Sequence, residues 1–250
     1  MFITFSFASL TATPFYASMS QKAFVFLEAL EVLDTMNVIS SMEYVVNEES
    51  VETLMENSTR VADQESMPTF LLLAMSNPQC ILTESDAFSE VLIPKIVVEY
   101  KGEHPLEKLE LILTLGQLFD KEYKAKELYR ISKEEYLTLI SFVKSVEHNQ
   151  INVTLKSDDE WLISLFKDAG VDVELGRVEE GHEPIFSIDK DGKEMWYSFS
   201  KRINGYGYSD INSSAILYPQ YLLNDIISLL YLSIDESNLT YIQRIDEEKL

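Results

Sequence analysis

The chain has 250 residues, with 20 Lys and Arg against 42 Asp and Glu, for a formal net charge of −22. Apolar residues make up 46% and charged residues 25%, proportions that exclude disordered, collagen-like and low-complexity classes. Its longest purely apolar run, residues 70–75, falls far short of the roughly 20 residues a membrane-spanning helix requires, and its single cysteine, Cys80, excludes an intrachain disulfide framework and fits a reducing, cytoplasmic compartment.

Residues 1–20 are apolar, yet no basic residue precedes Lys22, so they read as part of the fold and not as a signal peptide. Ile3, Phe5 and Phe7 alternate with Thr4 and Ser6, the period of a strand. Residues 20–36 place Phe24, Leu27, Leu30, Leu33 and Met36 near helical spacing, which predicts an amphipathic helix. Residues 38–46 are β-rich, and 48–62 read as a helix with acids in its first turn, complementing the helix dipole. Strands are expected at 70–76 and 91–100, the second central because it is β-branched. Pro78 and a Ser/Asp/Glu cluster make 77–90 a loop.

His104-Pro105 opens an expected helix through 119, Pro105 suiting its first turn. Residues 120–126 are charged and nearly devoid of apolar pattern, which makes 121–131 the predicted junction between subdomains 1–120 and 132–250. Ser132-Lys133-Glu134-Glu135 has capping-box spacing, predicting a helix start there that runs to about residue 148. Residues 151–155 alternate as a strand, and Ser157-Asp158-Asp159-Glu160 repeats the capping spacing before a helix ended by Gly170. Strands at 184–188 and 195–200 are joined by Asp189-Lys190-Asp191-Gly192-Lys193, a hairpin turn with Asp-Gly chemistry. Residues 204–214 read as a loop, 221–232 as an apolar helix and 240–245 as an edge strand. The expected fold is α/β or α+β, with mixed sheets flanked by amphipathic helices. The similar order of elements in the two halves makes two similar subdomains the candidate organisation.

The charge is uneven: residues 1–100 hold three basic side chains, Lys22, Arg60 and Lys95, against fourteen acids. Phosphate neutralisation needs clustered Lys and Arg, so nucleic acid is excluded as a direct partner. The same field steers a chain toward cationic protein surfaces. The leading expectation is therefore a cytoplasmic, non-enzymatic module that docks on a basic protein surface such as a nucleic-acid-processing enzyme or toxin. Immunity proteins, antitoxins and phage-encoded inhibitors use acidity in this way. Its expected contact residues are the acid clusters Glu48-Glu49 and Asp158-Asp159-Glu160, with Tyr206 and Tyr208 as aromatic anchors. That reading involves neither metal, cofactor nor membrane. A structural subunit of a larger complex is a further alternative.

The sharpest local pattern is Ile96-Val97-Val98-Glu99-Tyr100-Lys101, which predicts Glu99 and Lys101 on one face of a strand. It resembles the acidic-x-Lys signature of the restriction-endonuclease-like nucleases. The resemblance implies a Mg²⁺-dependent enzyme in which Asp86 and Glu99 hold the ion and Lys101 activates water. Other chemistry lacks its residues. Asp189-Lys190-Asp191-Gly192 has Ser198, not Glu, six positions after the glycine, which excludes an EF-hand. Three histidines, His104, His148 and His182, stand far apart in sequence and none is near Cys80, so no zinc spacing occurs.

Overall fold

In the computed structural model the described residues are 16–18, 21–32, 40–41, 61–62, 80–83, 92, 94–100, 102–146, 151–177, 185–190, 193–199, 213–232 and 239–245. The chain divides into two compact units, Met1–Val98 and Glu99–Leu250. Each combines strands with helices, and the second is built on a mixed sheet flanked by helices, so the fold is α/β.

The first unit holds β1 (Tyr16–Ser18), α1 (Gln21–Ala29), β2 (Ser40–Ser41), β3 (Val61–Ala62), β4 (Cys80–Thr83) and β5 (Lys95–Val97). One sheet has the order β1-β4-β5 with every pair parallel, and β2 pairs β3 in a second. Along α1 and the residue after it, Ala23, Phe26, Leu27 and Leu30 are fully buried, the i, i+3, i+4, i+7 spacing of one helix face. The helix stops seven residues short of the predicted end, for a backbone reason. Glu31 takes the left-handed region at φ 55°, its N–H reaching the Glu28 carbonyl while that of Val32 reaches Leu27. This double closure satisfies the last carbonyls.

Three further expectations fail in this unit. Cys80, Ile81, Leu82 and Thr83, assigned to a loop, are the buried middle strand of the parallel sheet. Such a strand is covered on both faces and shows no alternation, so nearby Pro78 and the polar cluster dominated the local pattern. Conversely β5, expected to be central, lies at the end of the described sheet and is only three residues long. Val61–Ala62, assigned to a helix end, is a strand. The expected strands at 3–7 and 70–76, and most of the expected helix at 48–62, lie outside the described residues.

The second unit opens with α2 (Pro105–Leu109), α3 (Leu111–Leu118) and α4 (Glu122–Ser145). The last of these crosses the predicted junction: 122–131 is its first half, and the chain divides at 98/99 instead. The charged run that suggested a linker carries i,i+4 ion pairs, Lys126 to Glu122 at 2.6 Å and Arg130 to Glu134 at 2.7 Å, which support an exposed helix face. Ser132, predicted as an N-cap, is mid-helix and buried, its hydroxyl donating to the Leu217 carbonyl at 3.4 Å. Between α3 and α4 the chain turns tightly through Asp120 at φ 57°, with the Lys121 N–H bonded to the Gly116 carbonyl. A side chain at Gly116 would collide with Ala125 Cβ, so glycine permits the close approach of the two helices. Asp120→Gly, which removes the left-handed penalty, is expected to raise stability by about 0.5 kcal/mol, read as a higher midpoint in a thermal melt.

The rest of the unit is β6 (Asn152–Lys156), α5 (Glu160–Asp168), β7 (Val173–Leu175), β8 (Ile185–Lys190), β9 (Lys193–Phe199), α6 (Ser213–Leu217), α7 (Pro219–Tyr231) and β10 (Ile242–Arg244). The sheet order is β10-β9-β8-β6-β7, parallel only between β6 and β7. Lys190 and Lys193 are register partners, leaving the Asp-Gly dipeptide between β8 and β9, as the hairpin reading expected. Gly170 at φ 81° follows α5 as predicted, and β10 is the expected edge strand. Register partners share a face, so Val153, Leu155, Phe186, Ile188, Tyr197, Phe199 and Ile242 form one buried apolar layer. On α7, Leu222, Leu223, Ile226, Ile227, Leu229 and Leu230 are all buried. That helix packs against α4, α5, α6 and β10.

Candidate functional site

Among the described residues, polar side chains converge in the second unit, where three elements meet. His104 precedes α2 and caps it. Its Nδ1 accepts the Leu106 N–H at 3.2 Å, and its own N–H donates to Glu107 Oε2 at 3.3 Å, completing a capping box with Pro105 in the first turn. With Nδ1 accepting, the ring proton lies on Nε2, which donates to Asp168 Oδ2 at 3.0 Å. Asp168 is the last residue of α5. The Tyr136 hydroxyl, from the middle of α4, donates to the same oxygen at 2.6 Å, and its ring meets the imidazole edge-on with centroids 6.0 Å apart. Tyr136 is fully buried. Burial first, then the Asp168 charge and hydrogen bond, push its phenol well above the usual tyrosine range. It therefore remains a donor.

A histidine beside a carboxylate suggests general-base chemistry, but that requires a ring nitrogen available to a substrate proton. Both nitrogens are engaged here, one by the helix cap and one by Asp168. The cluster ties the start of α2, the middle of α4 and the end of α5 together. Sequence reasoning saw only the His104 cap; Asp168 and Tyr136 lie 64 and 32 positions from their partners, a separation no local pattern encodes.

The sequence-derived site residues fare differently. The nuclease resemblance needs Glu99 on a strand, yet β5 ends at Val97, two residues earlier, and only the Val98 N–H continues the ladder, to the Thr83 carbonyl at 2.7 Å. Glu99 is exposed; Asp86 and Lys101 lie outside the described residues. Among the described residues no group of three or more His, Cys, Asp or Glu could hold a metal ion. Asp159 is the N-cap of α5, two residues after the predicted cap, and accepts the Trp161 N–H at 2.9 Å while its own N–H bonds to Ser157 Oγ at 3.1 Å. The acids beside it, exposed Asp158 and Glu160, stand at the positive end of the helix dipole. Glu48, Glu49, Tyr206 and Tyr208 lie outside the described residues. Cys80 is buried on β4, and burial pushes its thiol upward, opposed by a contact with the Ile81 carbonyl. It packs as a small apolar side chain.

What the described residues define is an α/β protein with an all-parallel sheet in its first unit and a cross-linked mixed-sheet second unit. No family model matches the chain. No curated protein matches it either. Solved structures with a similar arrangement include an ABC-type Fe3+-hydroxamate transport system from Saccharomonospora viridis, 16% identical with a TM-score of 0.45, covering 65% of this chain and 64% of that one. A possible iron-binding, periplasmic solute-binding protein from Staphylococcus epidermidis is 16% identical with a TM-score of 0.48, covering 75% and 71%. IsdE of S. aureus, complexed with heme, is 12% identical with a TM-score of 0.49, covering 68% and 67%.

These findings run against the cytoplasmic inhibitor expected from the charge. One of these is described as a transport system, one as a possible periplasmic solute-binding protein and one as complexed with heme, and none of the three as an inhibitor, antitoxin or nuclease. The inhibitor, the cytoplasmic location and the nuclease alternative are withdrawn. Net charge bears on solubility and encounter rates and leaves the fold, and the ligand the fold suits, undetermined. At these identities and TM-scores the likeness carries neither ligand nor compartment over to this chain.

Proposed function

We propose that the protein binds a small solute, held at the carboxyl ends of the parallel strands in the first unit. The observation that carries this reading is the β1-β4-β5 order with every neighbour parallel. Parallel pairing places the ends at Ser18, Thr83 and Val97 along one sheet edge. In open α/β sheets that edge is where ligands bind, because the connections leaving it can surround a small molecule.

Ferric hydroxamates, heme and other ferric chelates, named for the similar structures, form the first panel to test. A ligand at a hundred times its Kd is expected to raise the unfolding free energy by about 2.7 kcal/mol, seen as a saturable rise in melting temperature. No saturable shift with any of these and with a broader set of small metabolites would overturn the reading.

A further inference from the structure

Asp225 lies in the middle of α7 and is 3% exposed, with its Oδ2 accepting the backbone N–H groups of Thr240 at 2.8 Å and Tyr241 at 2.6 Å. The Ile242 N–H also contributes. These residues lead directly into β10, a three-residue strand at the sheet edge paired only to β9. Beyond that pairing and the Ile245 N–H to the Trp196 carbonyl at 2.9 Å, β10 is anchored by buried Leu239, Tyr241 and Ile242. So short an edge strand depends on such added fastening.

Among the described residues the partners of this carboxylate are uncharged. Of the charged groups on the elements packed against α7, those of α4 are exposed except half-buried Lys124, Glu135 among them accepting from Gln220; α5 carries exposed Glu160 and Lys167, and Asp168, held by His104 and Tyr136; α6 has none, and β10 has exposed Arg244. None of them is a hydrogen-bond partner of Asp225. In sequence, Asp235-Glu236 precede β10 and Asp246-Glu247-Glu248 follow it, in a chain of net charge −22. An ionised, desolvated carboxylate whose hydrogen-bond partners among the described residues are all uncharged backbone groups is unfavourable. A protonated one keeps lone pairs on Oδ2 for the same N–H groups and carries no charge to bury.

We propose that Asp225 is a pH-responsive latch on the C-terminal edge strand, holding β10 more firmly when its carboxyl is protonated than when it is ionised. Burial outweighs the three N–H bonds and pushes the carboxyl from 3.8 up to about 6. A raised folded-state value means the latched form binds the proton more tightly, so its contribution is fully present below about 3.8 and is lost as pH rises through about 6. The latch loosens on the neutral side.

Amide hydrogen exchange tests this on the whole chain. Corrected for intrinsic exchange rates, the protection of Thr240, Tyr241 and Ile242 is expected to fall about tenfold between pH 5 and pH 8. Amides of β6 and β8 should hold steady. In Asp225→Asn, neutral throughout, the step should vanish. A wild-type protein without the step, or a variant that retains it, overturns the proposal. Should the variant fail to fold, carbon-detected titration of the wild-type carboxyl decides. A midpoint near 6 shared by the Tyr241 amide shift supports the latch, and an ordinary aspartate midpoint or an unresponsive Tyr241 amide removes it.

Discussion

Phe186→Ala is expected to lower the unfolding free energy by about 3–5 kcal/mol, the largest effect of any single substitution considered for this protein. Phe186 lies on β8, between β9 and β6, and is fully buried. Its ring meets Phe166 edge-on at 5.0 Å, stacks on Tyr197 at 5.3 Å and lies against Phe199 at 5.3 Å, so α5, β8 and β9 converge on one side chain. Truncation removes the transfer energy of the ring, leaves a cavity that strand neighbours cannot close, and forfeits aromatic contacts worth about 0.5–1.5 kcal/mol apiece. At about 2–4 °C per kcal/mol for a chain of this size, the melting temperature should fall by roughly ten degrees. Val97→Ala, at a position 43% exposed, is the control, expected within about 0.5 kcal/mol of wild type. If the two cost the same, the aromatic layer is not the centre of the second unit.

Asp168→Ala should be the next most damaging, at about 2–3 kcal/mol, because one oxygen serves two donors. Its removal leaves the hydroxyl of fully buried Tyr136 without an acceptor and releases His104 from the start of α2. Tyr136→Phe removes the other half of the same bond at a cost of about 1 kcal/mol, since Asp168 is only partly buried and keeps His104. In denaturant melts the double variant should therefore cost clearly less than the sum of the singles. Strict additivity, or Asp168→Ala no more harmful than Tyr136→Phe, would show that the shared oxygen does not organise this junction.

How much of this could be read beforehand depended on the range of the interaction. The His104-Pro105 cap, the Asp-Gly dipeptide between β8 and β9, Gly170 after α5 and the apolar α7 all rest on residues within a few positions of one another. Each was legible. Buried β4 was not, because a strand covered on both faces lacks the alternation that marks one. Nor was α4, whose first half looks like a linker until its i,i+4 ion pairs and its packing on α3 and α7 are seen. Nothing local distinguishes Asp225 from any other acid in this chain. What sets it apart is burial against the backbone of residues 240–242, fifteen or more positions away.

The charge led furthest astray, since surplus carboxylates describe a surface, and the described acids include a helix cap in Asp159, a junction pin in Asp168 and a strand fastening in Asp225. By itself the sequence determined the α/β class, the lack of a cysteine pair for an intrachain disulfide, and several local starts and stops, because caps, turns and amphipathic faces are short-range consequences of side-chain chemistry. Only the tertiary structure decided where the chain divides, which strands are parallel, and which carboxylates lose their water. Those outcomes depend on what lies across the fold from a residue, and desolvation and strand pairing have no counterpart in the order of neighbours along the chain.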